Sequence, residues 1–307
     1  MNKSIYFITG PTAIGKSSFA LKLAKQINGE IVNADSMQIY KELEVVSARP
    51  STSEKKLIKH HLYGYVDGSE RYNVEKWCTD ASKIINLLNT KDKTSIFVGG
   101  TGLYIDTLIN GISNVPEIPE NIKKQSSFLF NKIGSYNFYK LVKDIDYESV
   151  KNIQSNDSQR LKRVWEVYKH TQKKLSDFKK NSNKKFIDIL DYKIILFLPN
   201  RNENYQKVNK RVLSMIDNGA INEIKKLKEL NYNTDLPIMR AHGVPEIISY
   251  LDKSLSLEDC IKNMQLVTRH YVKRQHTWWN SSKLKIFRKI DQFPSEIDIK
   301  STNLALI

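Results

Sequence analysis

Between an apolar run, Ser4 to Thr9, and a helical pattern that begins at Lys16 lies Gly10-Pro11-Thr12-Ala13-Ile14-Gly15-Lys16-Ser17. It fits G-x-x-x-x-G-K-[ST]. The glycines let successive backbone N–H groups converge on phosphate oxygens. The helix that follows adds the positive end of its dipole. Lys16 neutralises charge, and the Ser17 hydroxyl can ligate Mg²⁺. A strand has to precede such a loop and a helix has to follow it, and both patterns are present. The chain is expected to hold a diphosphate or triphosphate.

The first hundred residues alternate between strand and helix. Glu30 to Ala34 and Thr94 to Val98 read as strands, the latter running into Gly99-Gly100-Thr101-Gly102. Phe19, Ala20, Leu23 and Ile27 recur at helical spacing between the first two strands. This alternation implies a parallel sheet covered by helices. Pro116 and Pro119 then punctuate the chain, and up to about Asn183 only helical patterns occur. Ile194 to Leu198 looks like a buried strand of the same sheet. The expected architecture is α/β: a P-loop NTPase-like parallel sheet flanked by helices, residues 1–116 and 188–307, with an all-helical insertion domain over 117–187. Beyond it, one helix is expected over roughly Asn204 to Leu230. A last long helix should start at Ser256, which with Asp259 resembles a capping box using Asp in place of Glu. Lys/Asn-rich 173–185 reads as a solvated loop.

Composition narrows the setting. No apolar run approaches the ~20 residues of a membrane span. Met1 to Gly10 has no signal-peptide layout. Cys78 and Cys260 are the only cysteines, too few for a disulfide framework or a Cys-based zinc site. A soluble cytoplasmic protein is expected. The net charge is +16, but only ten of the 49 cations are Arg. A Lys-, Asn- and Ile-rich composition can follow from genome base content, so charge alone leaves nucleic-acid binding open.

The phosphate chemistry is constrained by what is missing. A P-loop NTPase usually carries a Mg²⁺-binding carboxylate at the end of a neighbouring strand. Here that strand ends in Gly99-Gly100-Thr101. The nearest carboxylate, Asp35 in Asn33-Ala34-Asp35-Ser36, could be a helix cap, a second-sphere Mg²⁺ group or a catalytic base. Simple ATP hydrolysis fits poorly, and a reaction in which diphosphate leaves remains open.

GPTAIGKS, NADSMQIY, VGGTGLY, NDSQRLKRVWEV and KRQHTWW follow one another in this order. Together they resemble the bacterial tRNA dimethylallyltransferase (tRNA isopentenyltransferase) family, from about residue 4 to 280. The resemblance implies transfer of the dimethylallyl group of dimethylallyl diphosphate to an adenosine amine. That adenosine is 3′-adjacent to the anticodon in tRNAs reading codons that begin with U. It further implies that Gly10, Pro11, Thr12, Ala13, Ile14, Gly15, Lys16 and Ser17 cradle the diphosphate, with Mg²⁺ at Ser17 and Arg211 as a further anion ligand. Asp35 matches the family's general base, and Thr101 matches a contact to the target adenosine. Contacts to the anticodon stem-loop map onto Asp35, Ser36, Met37, Gln38 and Thr101, onto Lys123, and onto Gln159, Arg160, Leu161, Lys162 and Arg163. Lys273, Arg274, Gln275 and Trp278 would form another RNA-facing end. A monomer is expected.

Two segments depart from the family pattern. His242-Gly243-Val244-Pro245-Glu246 stands where many members have Gly-Tyr and a basic residue. Trp279-Asn280 stands where a basic residue often follows. Three other readings compete: a prenyltransferase of free adenine nucleotides, a P-loop kinase or ATPase, and a non-catalytic RNA-binding protein. The helical insertion with Gln159 to Arg163 favours tRNA over a free nucleotide. The kinase lacks its metal carboxylate. A mere RNA binder leaves the P-loop and Asp35 without a use.

Overall fold

The computed structural model describes residues 4–180, 183–188 and 191–297. The chain forms two compact units, one running through 109 and resuming at 186, the other spanning 110–185.

The larger unit opens with β1 (Ile5–Thr9), α1 (Lys16–Gln26), β2 (Gly29–Asn33), α2 (Thr52–Leu57), β3 (His60–His61), α3 (Val74–Thr90), β4 (Thr94–Gly99) and α4 (Gly102–Asn110). The smaller unit contains β5 (Ile112–Ser113), α5 (Glu120–Ile145), α6 (Tyr147–Val150), α7 (Ser158–Thr171), α8 (Leu175–Lys180) and β6 (Asn183–Lys184). The larger unit then resumes with β7 (Tyr192–Phe197), α9 (Arg201–Asp217), α10 (Ala220–Glu229), α11 (Val244–Leu251), α12 (Leu257–Ser281) and β8 (Arg288–Ile290).

Six strands form one sheet in the order β3-β2-β4-β1-β7-β8. Every pairing is parallel. All five residues of β1 are buried, as expected of a strand covered on both faces. Phe7 is in register with Phe97 and Ile194, and its ring stacks on Phe97 at 5.1 Å between centroids. Tyr6 and Ile8 point the other way, into a second cluster with Phe19, Leu23 and Phe197. Each such side chain contributes about 1.5–3 kcal/mol when fully buried. The sheet is thereby a rigid platform whose carboxyl edge is set by register.

Three local expectations need correction. The helix read over Asn204 to Leu230 is two helices, broken at Gly219, whose φ of 94° lies in the left-handed region. A residue with a Cβ is strained there, so a single straight helix cannot pass through. The stretch read as a loop over 173–185 contains α8, and its residues 181–182 lie outside the described residues. A short antiparallel ladder, Ile112 with Lys184 and Ser113 with Asn183, joins the two ends of the smaller unit. Two-residue strands have no periodicity to read, which is why none was expected there.

The smaller unit has its own core of Phe138, Val142, Val150, Leu161 and Val164. Its longest helix, α5, is interrupted at Gly134. Asp157 caps α7 by accepting from Arg160 N, as the sequence implies.

Candidate active site

The carboxyl ends of β1, β2 and β4 bring their following loops together, the usual place for a ligand in an open parallel sheet. After β1, Gly10 adopts φ 138°, and a Cβ there would lie 2.1 Å from the Phe197 carbonyl oxygen. Only glycine allows the loop to leave the sheet this closely. The loop enters α1 through Gly15, which offers no side chain to the helix N-terminus. The first N–H groups of α1 are thus left for an external anion.

Lys16 is half-buried and donates from Nζ to the Pro11 carbonyl at 2.6 Å. Burial pushes its ammonium down to about 7; the Asp35 carboxylate opposes that shift and Arg211 adds to it. A multiply charged anion in the loop would supply the negative partner that the ammonium lacks.

Asp35 follows β2, and its backbone is held on both sides by the fully buried Asn33. Asn33 Oδ1 accepts from Asp35 N at 2.8 Å, and Asn33 Nδ2 donates to Asp35 O at 2.9 Å and to Leu62 O at 3.0 Å. Asp35 Oδ1 accepts from Met37 N at 2.9 Å, which fixes the carboxylate and leaves Oδ2 available to a substrate. Thr101, after β4, accepts from Ser36 N at 3.2 Å. The Asp35 and Thr101 loops are therefore one hydrogen-bonded piece.

Arg211 reaches the phosphate loop from α9. Its Nη1 donates to Thr12 Oγ1 at 3.0 Å and its Nη2 to Ser47 O at 3.3 Å. Gln275, buried on α12, joins the loops after β1 and β4: Oε1 accepts from Thr12 N at 2.9 Å, and Nε2 donates to Gly100 O at 3.1 Å. Thr12 to Ser17, Asp35 to Gln38 and Arg211 line a cavity of about 350 Å³, and Asn33, Thr101 and Gln275 are not among its lining residues. Its remaining wall is largely apolar, with Leu43, Val46, Val208, Val212, Met215 and Met264. One end of the cavity thus suits an anion, and a hydrocarbon fits beside it, with a fixed carboxylate on the same wall.

Two family models match this chain. One described as IPP transferase covers residues 38–282, and one described as isopentenyl transferase covers residues 3–67. The chain belongs to the IPP transferase family. A tRNA dimethylallyltransferase of Ehrlichia ruminantium is 39% identical over 304 residues, 99% of this chain and 97% of that protein. One of Wolbachia pipientis wMel is 40% identical over 304 residues, with the same coverage of both chains. The solved tRNA isopentenylpyrophosphate transferase of Staphylococcus epidermidis superposes with a TM-score of 0.67 at 27% identity, covering 98% of this chain and 96% of the other. A eukaryotic dimethylallyltransferase described as acting on tRNA gives a TM-score of 0.75 at 29% identity, covering 90% of this chain and 69% of the other.

This IPP transferase family member places its expected site residues unequally. Gln38, expected at the RNA, spends its amide on Ser47 O at 2.9 Å and Ala48 O at 3.0 Å. In the smaller unit Gln159 and Arg160 are exposed, and Arg160 pairs with Asp157. Lys123 pairs with Glu120, and Lys162 donates to Ser127 Oγ. Arg163 is partly buried near Glu166. Leu161 is fully buried in that unit's core, on the same face of α7 as Val164. Gln275, expected at an RNA-facing end, is instead buried, with its amide taken up between Thr12 and Gly100. Trp278 is half-buried and packs on Gly102, and Trp279 is buried.

Several site residues of this family member escape sequence reasoning. Asn33 sits in a strand and looks like one more polar residue at its end. Gln275 recurs at helical spacing with Tyr271 and Trp279, and a glutamine in a buried stripe is a usable signal. His242, in the divergent segment, lines the cavity. Its ring lies 5.0 Å from that of Tyr271, and Arg274 Nη2 donates to its Nε2 at 3.3 Å. Burial and the Arg274 cation push the imidazole below its usual range, against a smaller opposing effect of Asp35. It stands as a neutral acceptor.

Proposed function

We propose that this chain transfers the dimethylallyl group of dimethylallyl diphosphate to the exocyclic N6 amine of the adenosine 3′-adjacent to the anticodon, in tRNAs reading codons that start with U. The observation that carries this reading is the meeting of Lys16, Arg211 and Asp35 on one cavity whose remaining wall is largely apolar. A diphosphate and an isoprenyl chain match those two halves, and the full-length similarity to tRNA dimethylallyltransferases supports the same substrates.

In the reaction the adenine nitrogen forms a bond to the allylic carbon as the carbon–oxygen bond to diphosphate breaks. Asp35 takes the proton lost from nitrogen, which matters because an amine conjugated with a purine is a weak nucleophile. Lys16, Arg211 and the α1 N-terminus stabilise charge growing on the leaving diphosphate. Thr101, held against Ser36, orients the adenine beside Asp35. The target base must leave its stack, least costly in a single-stranded loop such as that of an anticodon.

Among the described residues there is no cluster of three acidic, His or Cys side chains to hold a metal. Ser17 and the donor's own phosphate oxygens fit Mg²⁺, which typically keeps substrate phosphates and waters as ligands. Bound there, the ion supplies further neutralisation of the diphosphate. Among the described residues no helix is long and apolar enough to cross a membrane. We take the enzyme to act as a cytoplasmic monomer on free tRNA, with Lys123 and Gln159, Arg160, Lys162 and Arg163 offering the smaller unit's contacts to the anticodon stem-loop.

The test is a donor comparison. Protein, Mg²⁺ and unmodified tRNA are incubated with dimethylallyl diphosphate or ATP, and the tRNA is digested to nucleosides for mass analysis. Prenylated adenosine with the allylic donor alone is expected. ATP consumption without prenylation overturns the reading and returns Asp35 to a metal-site role.

A further inference from the structure

Glu223, in the first turn of α10, is not among the residues that meet the donor's charge. Its carboxylate nevertheless collects three consecutive backbone donors from a segment far away in sequence. Oε2 accepts from Glu44 N at 2.7 Å and Val45 N at 2.8 Å, and Oε1 accepts from Val46 N at 2.9 Å. Residues 43–49 are neither helix nor sheet; their own backbone bonds are those of a turn, Ala48 N to Val45 O at 2.9 Å and Arg49 N to Glu44 O at 3.0 Å, and none of these reaches the N–H groups of 44–46 that Glu223 takes. Charge-assisted bonds of this kind are about twice as strong as neutral ones.

The pinned segment has two duties in the cavity. Leu43 and Val46 form part of its apolar wall. Ser47 O receives Arg211 Nη2, so the same segment supports the arginine on the phosphate loop. Val46 is nearly closed in, and a Cβ on Gly243 would come within 3.0 Å of its Cγ1. The wall has little room to retreat while the clamp holds.

We infer that Glu223 is a positioning residue that sets the donor's length: by holding residues 44–46 it keeps the apolar wall at the distance a five-carbon chain fills. This rests on the prenyl-donor reading above. A looser wall would admit a longer isoprenyl chain and hold the short one less well, because unfilled apolar space forfeits contact.

The experiment compares wild type with Glu223→Ala, Glu223→Gln, Val46→Ala and Glu229→Ala, the last an exposed control on the same helix. Steady-state rates are measured with dimethylallyl diphosphate and with geranyl diphosphate at saturating tRNA, and tRNA KM is measured separately. For Glu223→Ala the donor KM should rise about tenfold with kcat nearly kept, a loss of binding rather than of chemistry. The geranyl-to-dimethylallyl ratio of kcat/KM should rise by about the same factor. Glu223→Gln should fall between, because an amide keeps one acceptor and turns N–H groups toward N–H groups. Val46→Ala should raise the ratio with the clamp intact, which also carries the test if Glu223→Ala does not fold. Unchanged donor KM and unchanged ratio in Glu223→Gln and Val46→Ala overturn the inference. So does an equal loss toward both donors and tRNA in step with the folded fraction. Wild type that cannot use dimethylallyl diphosphate overturns the donor reading and the inference with it; active wild type with unaltered variants overturns the inference alone.

Discussion

Gln275 accepts a hydrogen bond from Thr12 N at 2.9 Å, so a buried amide on α12 sets the phosphate loop from behind. Its other end donates to Gly100 O at 3.1 Å, on the loop that leads to Thr101. The two loops proposed to hold the diphosphate and the adenine are therefore joined through one side chain.

Gln275→Ala would leave a buried N–H and a buried C=O without this partner, at a cost of about 1–3 kcal/mol. Gln275→Glu keeps the acceptor for Thr12 and sets an oxygen against the Gly100 oxygen. Both variants should lose donor kcat/KM, and Gln275→Glu should keep more donor affinity than Gln275→Ala. Donor titration and thermal unfolding of the two variants check this ordering. Equal affinities would remove the spacing role.

Lys16 is held at a cost to the empty protein. Its pKa falls from 10.5 unfolded to about 7 folded, chiefly through burial. Between those values the unfolded chain binds more protons, so this group makes stability rise with pH from about 7 toward 10.5. Below about 7 the penalty is fully present. Lys16→Met should therefore stabilise the free protein at pH 7. Discounted for partial exposure, the gain is about 1 kcal/mol, or roughly 2 °C in Tm. The same variant should lose most donor binding. A lower Tm with intact donor binding would contradict both halves.

Donor binding should also take up protons above pH 7. An anion in the loop restores the charged form of Lys16, so affinity should decline as pH rises from about 7. Calorimetry at pH 8.5 in two buffers of different ionisation heat measures the uptake directly. Lys16→Met, measured at donor concentrations that saturate its weakened site, is the control and should show less uptake than wild type by nearly one proton. The same uptake in both proteins would assign the proton to the donor instead.

The tRNA contacts of the smaller unit should be electrostatic. Arg160 is exposed and, among the described residues, pairs with Asp157. Arg160→Ala should weaken tRNA binding at low salt and shallow the salt dependence by about one phosphate contact. It should not alter donor KM. Affinity measured from low to physiological salt tests this, and an unaltered slope would place Arg160 off the RNA.

Much of this was legible in the sequence because each signal had a local cause. The phosphate loop is contiguous, and β1, β4 and β7 are apolar runs that only a doubly covered sheet accommodates. Asp157 and Ser256 announce helix starts because capping is a matter of neighbouring residues. The clamps were not legible, because each joins positions far apart in sequence: Gln275 to Thr12, Glu223 to Val46, and Arg211 to Ser47. Leu161 lies between basic residues on α7 and faces the core, a direction that helical spacing itself implies.

Asp35→Asn is the most direct test of the central claim. The amide keeps Oδ1 as acceptor for Met37 N, so the loop stays in place while the base is removed. Single-turnover prenylation with saturating dimethylallyl diphosphate and tRNA should slow by about 10²–10⁴-fold, with affinity for both substrates nearly unchanged. Prenylation at the wild-type rate would contradict the assignment of Asp35 as the group that takes the adenine proton.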